Sequence, residues 1–172
     1  MRGVASVVSK IEEVQPADLV PADNLKGDSE EDTVLLKSMA QEARDFLTGF
    51  RWCNCVRNLY FGVGIGGVIG TFLARISPTE PDVDEWLWVV VGDIPPAYLV
   101  TEAIPSPIDA LNGYIAEMER WVNATRRGES IGELIPVNVP PTEENATALQ
   151  SRLDFIRAEV IPVLREDRRS LM

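Results

Sequence analysis

"FGVGIGGVIGTFLARISP", residues 61–78, decides how this chain is read. Gly62-x-Gly64-x-x-Gly67 has the glycine spacing of a dinucleotide-binding turn. Such a turn needs a buried parallel strand before it and a helix after it, whose amide dipole receives the phosphates. Here "VIGTFLARI" follows, which is β-branched and aromatic, lacks a capping residue, and reads as a strand. No acidic residue stands at the ribose position of a βαβ unit, since Glu80 and Asp82 belong to a loop. The glycines therefore read as a flexible hairpin connection between strands at about 52–61 and 67–77. Gly62, Gly64, Gly66 and Gly67 permit positive φ, a bulge or close approach of another backbone. At a sheet end they are also a candidate binding lip. No cofactor is expected.

Outward from this stretch, strand periodicity puts Val68, Phe72, Ala74 and Ile76 on one face and Thr71, Leu73 and Arg75 on the other. "EPDVDE" turns the chain, and "WLWVVV" is apolar on both faces, as an interior strand is. "GDIPP" breaks that strand because prolines cannot donate to a ladder. "AYLV" is a short fourth strand. Upstream, Ser29 caps a helix with Asp32 as capping-box partner, and Leu36, Met39, Ala43, Phe46 and Leu47 form its apolar stripe. Gly49 closes it. Downstream, Ser106, Pro107 and Asp109 open a second helix striped by Ile108, Leu111, Ile115, Met118 and Val122. Gly128 ends it, and "IGELIPVNVPPT" is an extended connector. Thr142 caps a third helix with Leu149, Leu153, Ile156 and Val160 on one face, which Pro162 is expected to kink or end.

This order predicts an α+β fold: an N-terminal helix, a four-stranded antiparallel meander, and two C-terminal helices packed on the sheet. The expected organisation is an irregular arm over 1–28, one domain over 29–165, and a charged tail over 166–172. A chain of 172 residues with 45% hydrophobic content can build such a core.

Composition excludes several functions. There is no histidine, which removes histidine acid–base catalysis and histidine metal ligands. Lys10, Lys26 and Lys37 lie outside the predicted core and follow no glycine loop, so a Walker phosphate site is excluded. The net charge of −11 is spread along the chain. It argues against nucleic acid as partner, since a duplex binder carries a basic stripe. No stretch reaches the length of a membrane span, and the apolar run at the start is too short for a secretion signal. A cytoplasmic location is expected. Asn123-Ala-Thr125 and Asn145-Ala-Thr147, which match the glycosylation sequon, are discounted on that ground.

The remaining side chains offer a few candidates. Cys53 and Cys55, a C-x-C pair, are expected to point to the same face of a strand as reduced thiols. Asp82 and Asp84, with Glu80 and Glu85, are candidate ligands for a divalent cation, although the EF-hand pattern is absent. Asp93 at a strand end, with Tyr98 and Arg75, is a candidate acid–base group, and an Asx turn is the alternative role for Asp93. Trp86 and Trp88 point to one face with Val90, either as core or as a partner-binding surface.

The strings "FRWC", "YFGVGIGGVIGTFLARI", "DEWLWVVVGDIPPAYLV", "YIAEMERWV" and "LIPVNVPP" resemble a group of small uncharacterised bacterial proteins over residues 36–162. That resemblance implies no activity and transfers no catalytic residue. The element order is similar to the ubiquitin-conjugating-like fold. Active members of that fold place a cysteine after the meander, and this chain has none after Cys55.

Three functions are carried forward. A non-catalytic protein-interaction or regulatory module is favoured by the missing histidine and the acidic surface, with mimicry of an acidic ligand as a subtype. A carboxylate-based, metal-assisted enzyme and a small-molecule-binding protein are the alternatives. A homodimer fits the commonest oligomeric symmetry.

Overall fold

Five strands run antiparallel, each paired to the next in chain order: β1 (Val20–Pro21), β2 (Cys53–Ile65), β3 (Ile69–Pro78), β4 (Trp86–Gly92) and β5 (Ala97–Val100). The computed structural model describes residues 16–170. The α+β class and the meander are as expected, but the sheet has five strands, not four. The additional strand comes from the arm read as irregular, where Val20 and Pro21 pair with Phe61 and Tyr60 of β2. Two residues, one a proline, give no periodic signal, and proline is tolerated because this is an edge. Two turns of 3₁₀ helix flank β1, and Ala22 and Leu25 of the arm are buried.

The chain divides into two compact units, Met1–Ala110 and Leu111–Met172. In the first, α1 (Glu30–Thr48) covers one sheet face. Its buried stripe is Leu36, Met39, Ala40, Ala43 and Leu47, packed with Leu59, Phe72, Ala74, Ile76, Leu87, Val89 and Val91 from β2, β3 and β4. Ser29 caps it as expected, its Oγ accepting from Asp32 N–H at 3.1 Å. Asp32 does not return the bond to Ser29. Its Oδ2 accepts from Asp28 N–H at 2.9 Å, and its Oδ1 reaches the glycine turn.

The strand boundaries also differ from expectation. β2 continues through Gly62 and Gly64 to Ile65, and Val68 stands in the turn instead of on a strand face. Gly64 lies opposite Gly70, and the pairing carries these poor strand formers through the ladder. Only Gly66–Val68 make the connection.

Thr71 on β3 is fully buried, and its hydroxyl has no hydrogen-bond partner among the described residues. A buried hydroxyl left unpaired costs more than a methyl of the same shape. Thr71→Val is therefore expected to raise the unfolding free energy by about 1 kcal/mol. Urea denaturation followed by circular dichroism checks this, and a fall in stability would show that the hydroxyl is paired in solution.

The second unit holds α2 (Pro107–Arg127) from Leu111 onward, α3 (Glu143–Phe155) and α4 (Ile161–Ser170). Ser106 Oγ bonds both Asp109 N–H and the Asp109 carboxylate, and Thr142 Oγ1 accepts from Asn145 N–H. Both caps stand where the sequence puts them. The buried stripe of α2 is wider than expected and includes Tyr114 and Trp121.

α3 ends at Phe155 and helix resumes as α4 at Ile161, immediately before Pro162. A π turn over Ile156–Val160 precedes it, with Ile161 N–H donating to Ile156 O five residues back. Widening the turn there accommodates the residue that lacks an N–H and would crowd the preceding carbonyl. The helix then runs through the charged segment to Ser170.

Arg157, on this π turn, forks onto Glu119 of α2: Nη2 to Oε1 at 2.6 Å and Nη1 to Oε2 at 3.2 Å. Gln150 adds a bond to Oε2 at 3.1 Å. The Arg157 hydrogen bonds are the main reason the Glu119 carboxyl is held below its ordinary range. A lowered carboxyl stabilises the fold above the ordinary carboxylate range, and the contribution fades as pH falls through the lowered value. Glu119→Gln is expected to shift the urea midpoint down at neutral pH and to approach the parent only once the pH has fallen below the lowered Glu119 range, where both carry a neutral group. A gap that stays constant with pH would mean the pair contributes by packing instead of charge.

Candidate functional site

The sheet face away from α1 is built in rows that the strand register fixes. One row runs Thr71, Val90, Ala97 across β3, β4 and β5. The next runs Tyr60, Leu73, Trp88, Leu99 across four strands. The third runs Asn58, Arg75, Trp86. The face passes from dry to wet along this series. Thr71, Val90 and Ala97 are buried, and Pro107 sits close against Gly62, where a Cβ would lie 2.7 Å from the proline ring. Leu73 and Trp88 are also buried, with Trp88 Nε1–H donating to Ile104 O at 3.0 Å. Tyr60 and Trp86 are half-buried, and Asn58 is exposed.

The wet end forms a ladder. Tyr60 and Trp86 rings stack with centroids 6.3 Å apart at 20°. The Arg75 guanidinium lies 5.8 Å from the Trp86 ring centroid, within cation–π range. Arg75 Nε–H donates to Glu85 Oε1 at 2.8 Å, and Arg57 Nη1 approaches the same oxygen at 3.8 Å. Leu19, Leu99 and Ile104 border this face, partly buried. Arg57 sits at an irregularity between Val56 and Asn58, which is why it and Asn58 both reach the surface side by side.

The sequence candidates fall in different places. Trp86 belongs to the ladder, whereas Trp88 on the same face is core and presents nothing to a partner. Arg75 donates to Glu85 through Nε and lies over the Trp86 ring. Asp93 is exposed and its N–H donates to Val68 O at 2.9 Å, at the glycine-turn end of the sheet. Tyr98 pairs with Val89, four positions back along β4, roughly 13 Å at strand rise. Its ring packs against Trp52 at 5.0 Å and Phe50 at 5.3 Å. Strand register thus separates Asp93, Tyr98 and Arg75. The aromatic group of Phe46, Phe50, Trp52 and Tyr98 was not singled out from sequence, because its members meet only through the tertiary fold. Asp82 and Asp84 are exposed, and among the described residues no three acidic or thiol groups gather as a metal site.

Cys53 and Cys55 do not share a face. Cys53 pairs with Pro78 and Cys55 with Ser77, so two steps on β2 oppose one on β3. This bulge breaks the alternation, leaving Cys53 buried and Cys55 exposed. Burial, with Cys55 nearby, raises the Cys53 thiol above its ordinary range and makes it a poor nucleophile at neutral pH.

The glycine turn is hydrogen-bonded to α1. Gly66 N–H donates to Asp32 Oδ1 at 3.0 Å and Gly67 N–H to Met39 Sδ at 3.4 Å. Two amides that a phosphate would need are directed at α1 instead. Val68 N–H donates to Ile65 O at 3.0 Å and closes a β-turn whose third residue, Gly67, has φ +78°, which glycine adopts most easily. A strand follows, not a helix.

No helix of the described residues is long and apolar enough to cross a membrane. Comparison with known protein families, with curated proteins and with solved structures found no match.

Proposed function

We propose that this chain is a non-catalytic protein-interaction module of a bacterial cytoplasm, and that it grips its partner with the Asn58–Arg75–Trp86 row and Tyr60. The observation that carries this is the ladder itself. Tryptophan, tyrosine and arginine are the residue types that dominate interface energetics. Here they stand half-exposed, already stacked and ion-paired, so little side-chain freedom is lost on binding. The absence of histidine from the sequence and the separation of Asp93 from Tyr98 and Arg75 count against acid–base chemistry as the main role.

The test is native mass spectrometry of the chain captured gently from its source cells. A second protein in fixed ratio is expected, lost with Trp86→Ala while circular dichroism stays unchanged. A bare chain, or a partner held equally by the variant, would sink the assignment.

A second reading, small-ligand binding, is supported by a cavity of about 470 Å³ in the second unit, lined by Asn112, Arg157, Ile161, Pro162, Arg165 and Glu166. Its volume is in the range of ligand sites. A small mass retained on the chain in the same spectrum would favour it.

A further inference from the structure

We infer that the ladder takes an extended protein segment with the pattern acidic-x-apolar, its carboxylate on Arg75 and its large apolar side chain on the Trp86–Tyr60 stack. The inference rests on the interaction reading above and adds the partner's chemistry. A guanidinium offers a carboxylate two bidentate edges. Glu85 uses the Nε side of Arg75 at 2.8 Å, and the Nη1–Nη2 end remains for a second carboxylate. The Arg75 side chain is 38% exposed and that of Arg57 is 52% exposed, so both guanidiniums are within a partner's reach. Two cations face one carboxylate in this row, a local positive excess on a chain of net charge −11.

Spacing sets the second half of the pattern. The Arg75 row and the Tyr60 row are two residues apart along the strands, which is about 7 Å. Alternate side chains of an extended segment have the same spacing and point the same way. One side chain set on Arg75 therefore places the next-but-one beside Tyr60, where the partly buried Leu19, Leu99 and Ile104 supply apolar surroundings. The chain's net charge of −11 selects against a polyanion. A single carboxylate is admitted where a run of phosphates is repelled.

The test titrates the ¹⁵N-labelled full chain with short extended peptides carrying Glu-x-Phe, Gln-x-Phe or Glu-x-Ala, and with a thymidine oligonucleotide. Resonances of Arg75 Nε–H and Trp86 Nε1–H are followed, with Trp88 Nε1–H as a control for the fold. Glu-x-Phe is expected to move the first two and leave the third in place. Gln-x-Phe, Glu-x-Ala and the conservative variant Arg75→Lys are each expected to weaken binding by roughly tenfold. Equal binding of the Glu and Gln peptides would overturn the carboxylate assignment and leave the interaction reading standing. Movement with the oligonucleotide in place of the peptides would overturn both. No movement with any peptide up to about 5 mM would overturn the acidic-x-apolar pattern, and the co-purification result then decides the interaction reading separately.

Discussion

Trp88→Ala is expected to lower the unfolding free energy by about 3–5 kcal/mol, whereas Trp86→Ala lowers it by about 1 kcal/mol. The two indoles stand on the same strand and the same face, two residues apart. Only their rows differ. Trp88 lies between Leu73 and Leu99 and is fully buried, so alanine leaves a large cavity. It also removes the donor to the partly buried Ile104 O. Trp86 loses only its stack on Tyr60 and its contact with Arg75. Urea denaturation of both variants measures the difference. Equal losses would mean that the wet end of the face is as tightly packed as the dry end, and the ladder would then be core, not a docking surface. Partner capture should follow the opposite order among folded protein, with Trp86→Ala losing the partner and the residual folded Trp88→Ala keeping it.

That contrast was half legible in the sequence. Alternation places Trp86 and Trp88 together, but alternation has no information about which row is covered. The cover over the dry end includes Pro107, which meets Gly62 from the far side of β4 and β5 in the chain. Local signals fared well where the physics is local. Ser29, Ser106 and Thr142 all cap as their side chains dictate, because a cap bond spans three residues. The same locality served at the glycine stretch, where the β-branched and aromatic residues after Gly67 favour the strand that follows. Bulges were invisible. Nothing in "CNCVRN" signals that Cys53 and Cys55 fall on opposite sides of a register shift, because the shift is a property of β2 against β3. The π turn ahead of Pro162 was equally invisible, because composition carries no signal for where a helix widens.

Asp32→Ala is expected to lower the unfolding free energy by about 2–3 kcal/mol, more than the loss of an ordinary exposed carboxylate. The carboxylate joins two segments far apart in sequence. Oδ2 receives Asp28 N–H ahead of α1, and Oδ1 receives Gly66 N–H at the β2–β3 turn. Charge-assisted bonds to backbone amides are worth more than neutral ones. The negative group also sits in the first turn of α1, where the helix dipole favours it. Urea denaturation reads the loss, and amide hydrogen exchange locates it: Gly66 should lose protection while core amides such as that of Val89 keep theirs relative to the global stability. The close fit makes a second variant informative. A Cβ on Gly66 would lie 2.5 Å from Asp32 Oδ1 and 2.8 Å from Leu35 Cβ, so Gly66→Ala pushes the turn off the helix and breaks the same bond. The double variant Asp32→Ala with Gly66→Ala should therefore cost clearly less than the two single losses added together. Strict additivity would mean that the Asp32–Gly66 contact contributes nothing. The turn would then be held by its own geometry and by Gly67 N–H on Met39, and a lip free to move toward a ligand would return as the better description of those glycines.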